Sequence, residues 1–235
     1  MEEKMNIQWY PGHMTKTRRQ MEADLKLVDA VCEIVDARIP MSSRNPDIDA
    51  ICGSKPRIIV LNRMDLADPK ATKAWAAYFK GLGYAVVVTD CKSRRGIGDF
   101  TPAVCTVLAE KIARNAAKGM NKPVKVMVVG IPNVGKSTFI KRFMETLVIP
   151  SATEESKGMM TDELPQAAAG KTVMTTEPKF VPAKAAKISV SKGAEAFVRL
   201  VDCVGFAVEG ASGFEEEGQP RLVKTPWQDA PMPFE

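Results

Sequence analysis

The hydrophobic and polar residues of this chain alternate in blocks that predict helices and strands in turn. Helical patterns extend from about Pro69 to Lys80, from about Asp99 to Ala117, and from the glycine-rich stretch near residue 135 to about Leu147. Short apolar runs typical of buried strands alternate with them. The runs are AVCEIVD (30–36), PRIIVLN (56–62), YAVVVTD (84–90) and VKVMVVG (124–130). This alternation predicts an α/β fold with three layers, in which helices cover both faces of a doubly wound, mostly parallel sheet.

The pattern weakens after residue 150. The chain becomes rich in Ala, Thr, Pro, Gly and charge, and only AAKISVS and AFVRLVD resemble strands there. Residues 206–235 show no convincing helix or strand, and we expect an extended or disordered tail. We therefore expect one main domain over residues 1–205, with a first half at 1–120 and a second half at 121–205.

Composition is that of an ordinary soluble protein, with 45% hydrophobic and 26% charged residues among 235. No apolar run approaches the ~18 residues that a membrane span requires, so we expect no membrane partner. The first residues, MEEKMNIQWYPGHM, resemble no secretory signal, which predicts a cytoplasmic location. The five scattered cysteines and the single histidine argue against a zinc site and against a disulfide framework.

The net charge of +5 is unevenly distributed. Residues 1–137 carry 22 Lys and Arg against 14 Asp and Glu, whereas residues 138–235 have a small acidic excess. A basic first half suits a polyanionic partner such as RNA, although a solvated surface explains the same excess.

The sequence GIPNVGKS (130–137) fits the phosphate-loop pattern G-x-x-x-x-G-K-[ST] and stands between an apolar strand and a helix. Gly130 and Gly135 allow backbone N–H groups to turn towards phosphate oxygens, with Lys136 reaching the β- and γ-phosphates and Ser137 reaching Mg²⁺. A chance glycine turn is the alternative. The nucleotide-binding candidates here are Ile131, Pro132, Asn133, Val134, Gly135, Lys136, Ser137 and Thr138.

Downstream, LVDCVG (200–205) ends a strand with the pattern D-x-x-G. It predicts Asp202 near Mg²⁺ and the Gly205 N–H near the γ-phosphate. Between the two motifs, GKTVMTTEPKF offers three threonines for closing over the metal, with Thr176 as the candidate ligand and Thr172 and Thr175 as alternatives. A D-x-x-G by itself is often only a turn, and threonine-rich loops are often only loops.

Upstream, VLNRMD (60–65) follows a strand and resembles the N-K-x-D signature of GTPases. The resemblance implies that Asn62 and Asp65 recognise guanine, the Asp65 carboxylate accepting hydrogen bonds from N1 and N2. Arg63 stands where lysine is usual, and its aliphatic stem could cover the base. DCKS (90–93) resembles the S-A-K element of the same proteins, which adds Asp90, Cys91 and Lys92 as candidates.

The base-reading motifs therefore precede the phosphate-binding motifs, which is the reverse of the usual order. A compact sheet domain has its termini close together, so the same fold can be cut elsewhere and rejoined. We expect a P-loop NTPase G domain with a circularly permuted motif order, its base-reading half at 1–120 and its phosphate-binding half at 121–205.

Four motifs make a more specific resemblance. WYPGHMTK (9–16), VDARIP (35–40), NRMD and GIPNVGKST are together similar to the circularly permuted GTPases of the ribosome biogenesis GTPase A type, over about residues 5–138. The resemblance implies Mg²⁺-dependent GTP hydrolysis coupled to assembly of the large ribosomal subunit, with ribosomal RNA and the subunit precursor as partners.

The same resemblance implies how catalysis occurs. Phe206 fits the apolar residue that replaces the usual catalytic glutamine in this group. His13 matches a histidine to which water ordering is assigned, and Asn133 matches an asparagine linked to K⁺. The alternative for His13 is a structural place in an N-terminal loop anchored by Trp9 and Tyr10.

Beyond the phosphate loop the chain resembles a different family. STFIKRFMETLVIP, TDELPQAAAGKTVMTTEPKFVP, VRLVDCVGF and TPWQDAPMPFE are similar to stage IV sporulation protein A, an ATP-hydrolysing scaffold of the spore coat, over about residues 137–235. Two P-loop segments are thus joined near residue 138. A natural fusion and an error of gene assembly are both open, and so are a self-associating coat fragment or a chimera without a role. Residues 14–28, with a helical pattern, could complete the layer of helices.

Overall fold

A computed structural model describes residues 22, 25–45, 47–120, 122–131, 133–165, 179–191, 194–202, 215–216, 219–220, 222–223 and 232–233. Its strands are β1 (Ala30–Asp36), β2 (Arg57–Asn62), β3 (Ala85–Val88), β4 (Val124–Val129), β5 (Lys179–Ser191) and β6 (Ala194–Asp202). Its α-helices are α1 (Ile48–Cys52), α2 (Pro69–Gly81), α3 (Phe100–Val107), α4 (Ala109–Ala117), α5 (Lys136–Phe143) and α6 (Glu154–Asp162). None of these described helices is both long and apolar enough to cross a bilayer.

Six strands form one sheet in the order β3-β2-β1-β4-β6-β5. The first five of these pair in parallel, and β5 runs antiparallel to β6 at the edge. The base-reading half, residues 1–120, supplies β1 to β3. The phosphate-binding half, residues 121–205, supplies β4 to β6, so these two segments meet along the β1–β4 pairing. This is the doubly wound, mostly parallel sheet that the sequence predicts.

Helices cover both faces of the sheet. All seven residues of β1 are buried, as expected for a parallel strand with helices on either side. On one face, α3 and α5 pack against alternate residues of the central strands. On the other face, α1 and α2 cover two smaller apolar clusters, and Leu25 and Val28 bury against Val31, Met127 and Val201. These two residues end the predicted helix at 14–28, most of which lies outside the described residues.

The two segments share one hydrophobic core. Phe100 of α3 makes edge-to-face contacts with Phe139 and Phe143 of α5, at ring-centroid distances of 5.1 and 5.5 Å. Aromatic pairs in this geometry contribute beyond the area that they bury. The inner surfaces of the two segments therefore pack against each other.

Helix boundaries depart from prediction at two places. The helical pattern over 99–117 is interrupted at Leu108, although the hydrogen bonds from Leu108 N to Val104 O and from Ile112 N to Leu108 O continue across it. The helix after the phosphate loop ends as an α-helix at Phe143 and continues as a π-helical turn over Met144–Val148.

Short strands occur where the tail was expected to have none. Glu215–Glu216 pairs with Gln219–Pro220, and Leu222–Val223 pairs with Met232–Pro233, each pair antiparallel. The chain is extended at these places. A pairing only two residues long needs no apolar pattern, so the sequence does not indicate these strands.

Candidate nucleotide-binding site

The predicted motifs meet at the carboxyl edge of the parallel strands. The phosphate loop follows β4, NRMD follows β2, DCKS follows β3, and Asp202 ends β6. β1 and β4 lie side by side, and their connections lead to opposite ends of the sheet. Such a switch point leaves a crevice in which α/β proteins of this type bind ligands.

The phosphate loop turns sharply into α5. Gly135 precedes the helix with a φ of 95°, and a Cβ atom there would lie 2.4 Å from Asn62 Nδ2. Only glycine fits this position, because both the backbone and the space exclude a side chain. Val134 is buried, Asn133 is exposed, and Ile131, Ser137 and Thr138 are half-buried.

Lys136 and Asp202 form an ion pair inside the crevice. Their Nζ and Oδ1 atoms are 3.4 Å apart, and the side chains are 8% and 1% exposed. Among the described residues, neither the ammonium nor either carboxylate oxygen has a hydrogen-bond partner. Buried charges normally have several such partners, so both groups are available to a ligand.

Mg²⁺ fits this arrangement. Mg²⁺ prefers oxygen ligands, often one or two carboxylates together with phosphate oxygens. The Asp202 carboxylate has both oxygens free of hydrogen bonds, and Ser137 places a hydroxyl on the residue after Lys136. Asp202 and Ser137 are therefore suited to hold the ion beside a phosphate bound by Lys136.

Asn62 connects the base-reading motif to the phosphate loop. Its Nδ2 donates to the carbonyl of Val134 at 2.9 Å, and its Oδ1 accepts from the Thr89 hydroxyl at 3.2 Å. The backbone N–H of Cys91 lies 3.4 Å from the same Oδ1. One buried side chain thus fixes the relative positions of three loops.

Arg63 makes a second connection. Its backbone is left-handed, with a φ of 63°, and its Nη2 donates to the carbonyl of Asn133 at 2.6 Å. Its Nη1 lies 3.4 Å from Asp36 Oδ2 at the end of β1. The guanidinium is therefore directed at the phosphate loop, and coverage of the base by its stem remains a prediction.

Asp36 also binds Arg38 through both carboxylate oxygens, at 2.9 and 2.7 Å. Burial acts to raise the pKa of Asp36, but hydrogen bonds from Arg38 and the charges of Arg38 and Arg63 outweigh it, and the net pKa is below its usual value. The motif VDARIP contains both Asp36 and Arg38, but the sequence assigned neither of them a role. In the structure Asp36 also holds Arg63, the arginine that stands where lysine is usual.

Asp65 lies exposed in a short 3₁₀ turn, Met64–Leu66, directly after these contacts. Its carboxylate is the group predicted to read guanine. Since Asn62 and Arg63 contact Val134 and Asn133, the base-reading motif and the phosphate loop lie together despite their separation along the chain.

Asp90 organises its own loop. Its Oδ1 accepts from the backbone N–H groups of Lys92 and Ser93 at 2.9 and 3.2 Å, and its Oδ2 accepts from the Ser93 hydroxyl. Burial acts to raise the pKa of Asp90, but these hydrogen bonds and one from Arg95 lower it overall. Its carboxylate therefore supports the loop, and any direct contact of Asp90 or Lys92 with nucleotide remains a prediction.

Cys91 is buried beside Asn62 and Thr89. Burial raises the pKa of its thiol to about 11, so the thiol stays protonated near neutral pH. Four of the predicted site residues lie outside the described residues, namely His13, Pro132, Thr176 and Gly205. Phe206 lies outside them as well.

Comparison with known proteins finds relatives in both of the families that the sequence resembles. The family model described as "Stage IV sporulation protein A, ATPase domain" matches residues 108–235, which is more than half of the chain. The match begins upstream of the predicted join near residue 138 and includes the phosphate loop. Stage IV sporulation protein A from Bacillus anthracis is 57% identical over 108 residues, covering 46% of this chain and 22% of that protein.

Ribosome biogenesis GTPase A from Priestia megaterium is 51% identical over 140 residues, covering 59% of this chain and 49% of that protein. The solved structure of GNP-bound YlqF from T. maritima covers 84% of this chain and 61% of its own, at 23% identity and a TM-score of 0.46. The chain thus spans about half the length of the GTPase that it matches. Through residues 108–235 it belongs to the family of the stage IV sporulation protein A ATPase domain, and it carries in addition a circularly permuted segment similar to ribosome biogenesis GTPase A.

Proposed function

We propose that the chain binds and hydrolyses GTP and acts in assembly of the large ribosomal subunit. The observation that carries the proposal is the contact of the NRMD segment with the phosphate loop, through Asn62 to Val134 and Arg63 to Asn133. These contacts support one shared crevice for the Asp65 carboxylate, proposed to read guanine, and for Lys136, proposed to bind phosphate. The similarity to ribosome biogenesis GTPase A supports the same substrate.

Phosphate binding rests on Lys136 and on the N–H groups of the loop. The ammonium leaves Asp202 and contacts the β- and γ-phosphates, while N–H groups at the start of α5 direct positive potential at the same oxygens. Mg²⁺, when bound, neutralises charge that develops on the phosphates during transfer. Ser137 and Asp202 are its protein ligands in this proposal, with Thr176 added from the sequence that precedes β5.

Base recognition rests on Asn62, Asp65 and Cys91. The Asp65 carboxylate accepts from guanine N1 and N2, and the Cys91 N–H donates to O6. Adenine offers the opposite pattern of donors and acceptors at positions 1 and 6. A mismatched base would leave polar groups unpaired, which is the usual origin of strong discrimination.

Activation of the attacking water is assigned to residues other than those that bind the base and Mg²⁺. His13 orients the attacking water, and the Gly205 N–H contacts the γ-phosphate. K⁺, if held at Asn133, would supply positive charge that an arginine would otherwise provide. Asn133 supports this assignment because it belongs to the phosphate loop and is exposed.

The direct test is competition between fluorescent GTP and unlabelled ATP, repeated with Asp65→Asn. We expect ATP to compete poorly with the parent chain and the GTP preference to disappear in the variant. Asp68→Asn is the matched control, because Asp68 lies three positions away and an amide oxygen can still accept from Ala71 N at the start of α2. Equal competition by ATP in the parent chain would reject the assignment of the base-reading residues.

Ribosomal RNA and the large-subunit precursor are the proposed partners, which would place the chain in the cytoplasm. Arg94 and Arg95 extend from the loop after β3, with side chains 53% and 61% exposed. Lys16, Arg18 and Arg19 lie outside the described residues. A few basic side chains on one surface give weak affinity that depends on counterion release. Filter binding should therefore show RNA affinity that falls steeply between about 50 and 200 mM salt, and a tight, salt-insensitive complex would contradict it.

A second candidate function is that of an ATP-hydrolysing fragment of a spore-coat scaffold. The match of residues 108–235 to the ATPase domain of that family supports it. This function predicts nucleotide-dependent self-association, which sedimentation velocity with and without Mg²⁺–ATP would detect. It also predicts that ATP displaces fluorescent GTP, so one pair of measurements separates the two candidates.

A further inference from the structure

The peptide group between Cys91 and Lys92 is held at both ends. Its carbonyl oxygen, on Cys91, accepts from Arg142 Nε at 3.1 Å. Its N–H, on Lys92, donates to Asp90 Oδ1 at 2.9 Å. Because a peptide group is planar, two hydrogen bonds at opposite ends fix the orientation of the whole unit. Arg142 therefore sets the backbone conformation at Cys91, although it belongs to α5 on the other side of the phosphate loop.

A carboxylate keeps the Arg142 guanidinium in place. Glu145 Oε2 accepts from Arg142 Nη1 at 2.6 Å and from Arg94 Nη2 at 3.2 Å. Arg94 belongs to the same loop as Cys91 and has a left-handed backbone, with a φ of 66°. Glu145 thus connects Arg142 of the helix to Arg94 of the loop. The loop is held at two points, the Cys91 carbonyl and the Arg94 side chain.

The helix that carries Arg142 is itself fixed against the end of this loop. Phe139 and Phe143 of α5 contact Phe100, which begins α3 after a 3₁₀ turn over Ile97–Asp99 at the end of the loop. Gly96 closes the loop with a φ of 75°, and a Cβ atom there would lie 2.0 Å from the Val88 carbonyl oxygen. The Arg142 guanidinium therefore contacts Cys91 from a helix whose position is fixed by packing.

We propose that Arg142 is a positioning residue for base selectivity, which orients the Cys91 N–H towards position 6 of the purine without touching the nucleotide. The inference rests on the proposed function, in which that N–H reads guanine O6. The N–H of Cys91 lies only loosely on Asn62 Oδ1, at 3.4 Å, so it remains available to a better acceptor. Arg142 keeps it aimed by holding the next peptide group along the chain.

The role separates recognition of position 6 from recognition of position 2. Position 2 of guanine is read by the Asp65 carboxylate, which stands on a different loop. Loss of Arg142 should weaken discrimination at position 6 alone. A merely structural contribution would weaken binding of all purine nucleotides together.

The test measures the affinities of GDP, 6-thio-GDP and IDP by calorimetry for the parent chain and for Arg142→Met, which retains an aliphatic side chain without donors. Sulfur at position 6 is a weaker acceptor than oxygen, so the parent chain should prefer GDP to 6-thio-GDP. In Arg142→Met that preference should fall by about five- to tenfold, the value of one hydrogen bond. The preference for GDP over IDP, which lacks the 2-amino group, should be unchanged.

Three further variants complete the test. Lys141→Met removes the neighbouring charge on α5 and should leave both preferences as in the parent chain. Arg142→Lys should restore part of the position-6 preference, because an ammonium can still donate to the Cys91 carbonyl. Glu145→Gln should reduce the preference less than Arg142→Met and reports on the same contact if Arg142→Met fails to fold.

The outcomes separate this inference from the proposed function. If the parent chain binds ADP as well as GDP, the proposed function fails. If the parent chain prefers GDP but does not distinguish 6-thio-GDP from it, or if Arg142→Met keeps the full position-6 preference, the role of Arg142 is wrong while guanine specificity stands. An equal loss of both preferences in Arg142→Met would reduce it to a structural residue.

Discussion

Asn62 Nδ2 donates to the carbonyl oxygen of Val134 at 2.9 Å, although 72 positions separate the two residues along the chain. The oxygen of the same amide accepts from the Thr89 hydroxyl. Both polar atoms of one buried side chain are therefore used, one for the phosphate loop and one for Thr89, which lies between β3 and the DCKS loop. The motif order is rotated, and this amide is one of the contacts that join the base-reading motif to the phosphate loop.

Asn62→Ala should weaken nucleotide binding and destabilise the fold at the same time. The Val134 carbonyl would lose its donor in a buried place, which costs roughly 1–3 kcal/mol. Chemical denaturation without nucleotide and GDP affinity by calorimetry measure the two effects. Asn115→Ala on α4 is the control for removing an amide. Unchanged stability in Asn62→Ala would show that the bond to Val134 contributes nothing.

Asp202→Asn should remove the Mg²⁺ dependence of GDP binding and, unusually, strengthen binding without Mg²⁺. In the parent chain Lys136 Nζ is paired with Asp202 Oδ1, and this pair must separate before the ammonium contacts phosphate. Without the carboxylate, a buried ammonium is left uncompensated and gains more from an anion. Affinities measured in EDTA and in Mg²⁺ test both effects, and weaker binding by Asp202→Asn in EDTA would contradict the expectation.

Glu33→Gln should be among the most destabilising single changes outside the nucleotide site. Glu33 is 2% exposed within β1, receives two hydrogen bonds of 3.0 Å from Arg44, and also pairs with Arg57. Removing the charge would leave two largely buried guanidinium groups short of a partner, at a cost of about 3–5 kcal/mol. Denaturant unfolding measures it, with the exposed Glu110→Gln as control. A loss below about 1 kcal/mol would show that Asp49, which contacts both arginines, is sufficient.

Acid should destabilise the fold partly through Asp36. Its pKa is lowered in the folded chain, so its contribution is complete above the unfolded value of about 4 and is lost as pH falls towards the lower folded value. Asp36→Asn should therefore show a shallower loss of unfolding free energy between about pH 5 and pH 2 than the parent chain. Asp162→Asn, at an exposed carboxylate that ends α6, should follow the parent curve. Identical slopes for Asp36→Asn and the parent chain would exclude this contribution.

The sheet and the phosphate loop were predictable because their signals are local. Runs of Val and Ile between turn residues marked β1 to β4, and a helical pattern from about Pro69 marked α2. The structure adds the cap of that helix, where Asp68 Oδ1 accepts from Ala71 N at 2.7 Å. Each signal lies within a few residues of the element that it predicts. Backbone geometry then follows with little help from the rest of the fold.

Arg142 and Glu33 could not have been identified in the same way. Arg142 and Cys91 are 51 positions apart, and an arginine near the end of an amphipathic helix usually indicates only a solvated face. Glu33 interrupts an apolar strand, but its partners Arg44 and Arg57 are known only once the strands are paired. Contacts between residues that are far apart along the chain leave no local pattern in the sequence, and they form only where the fold brings the segments together.

The side-by-side placement of β1 and β4 makes the molecule divisible. Each side of that boundary contributes three contiguous strands, and the chain crosses between the two sides through the connection from α4 to β4, near residues 118–123. Two polypeptides cut there would each present one long unsatisfied strand to the other. Their reassembly would bring Asn62 onto Val134 again, so fragment complementation would report whether the two sides of the sheet have rejoined.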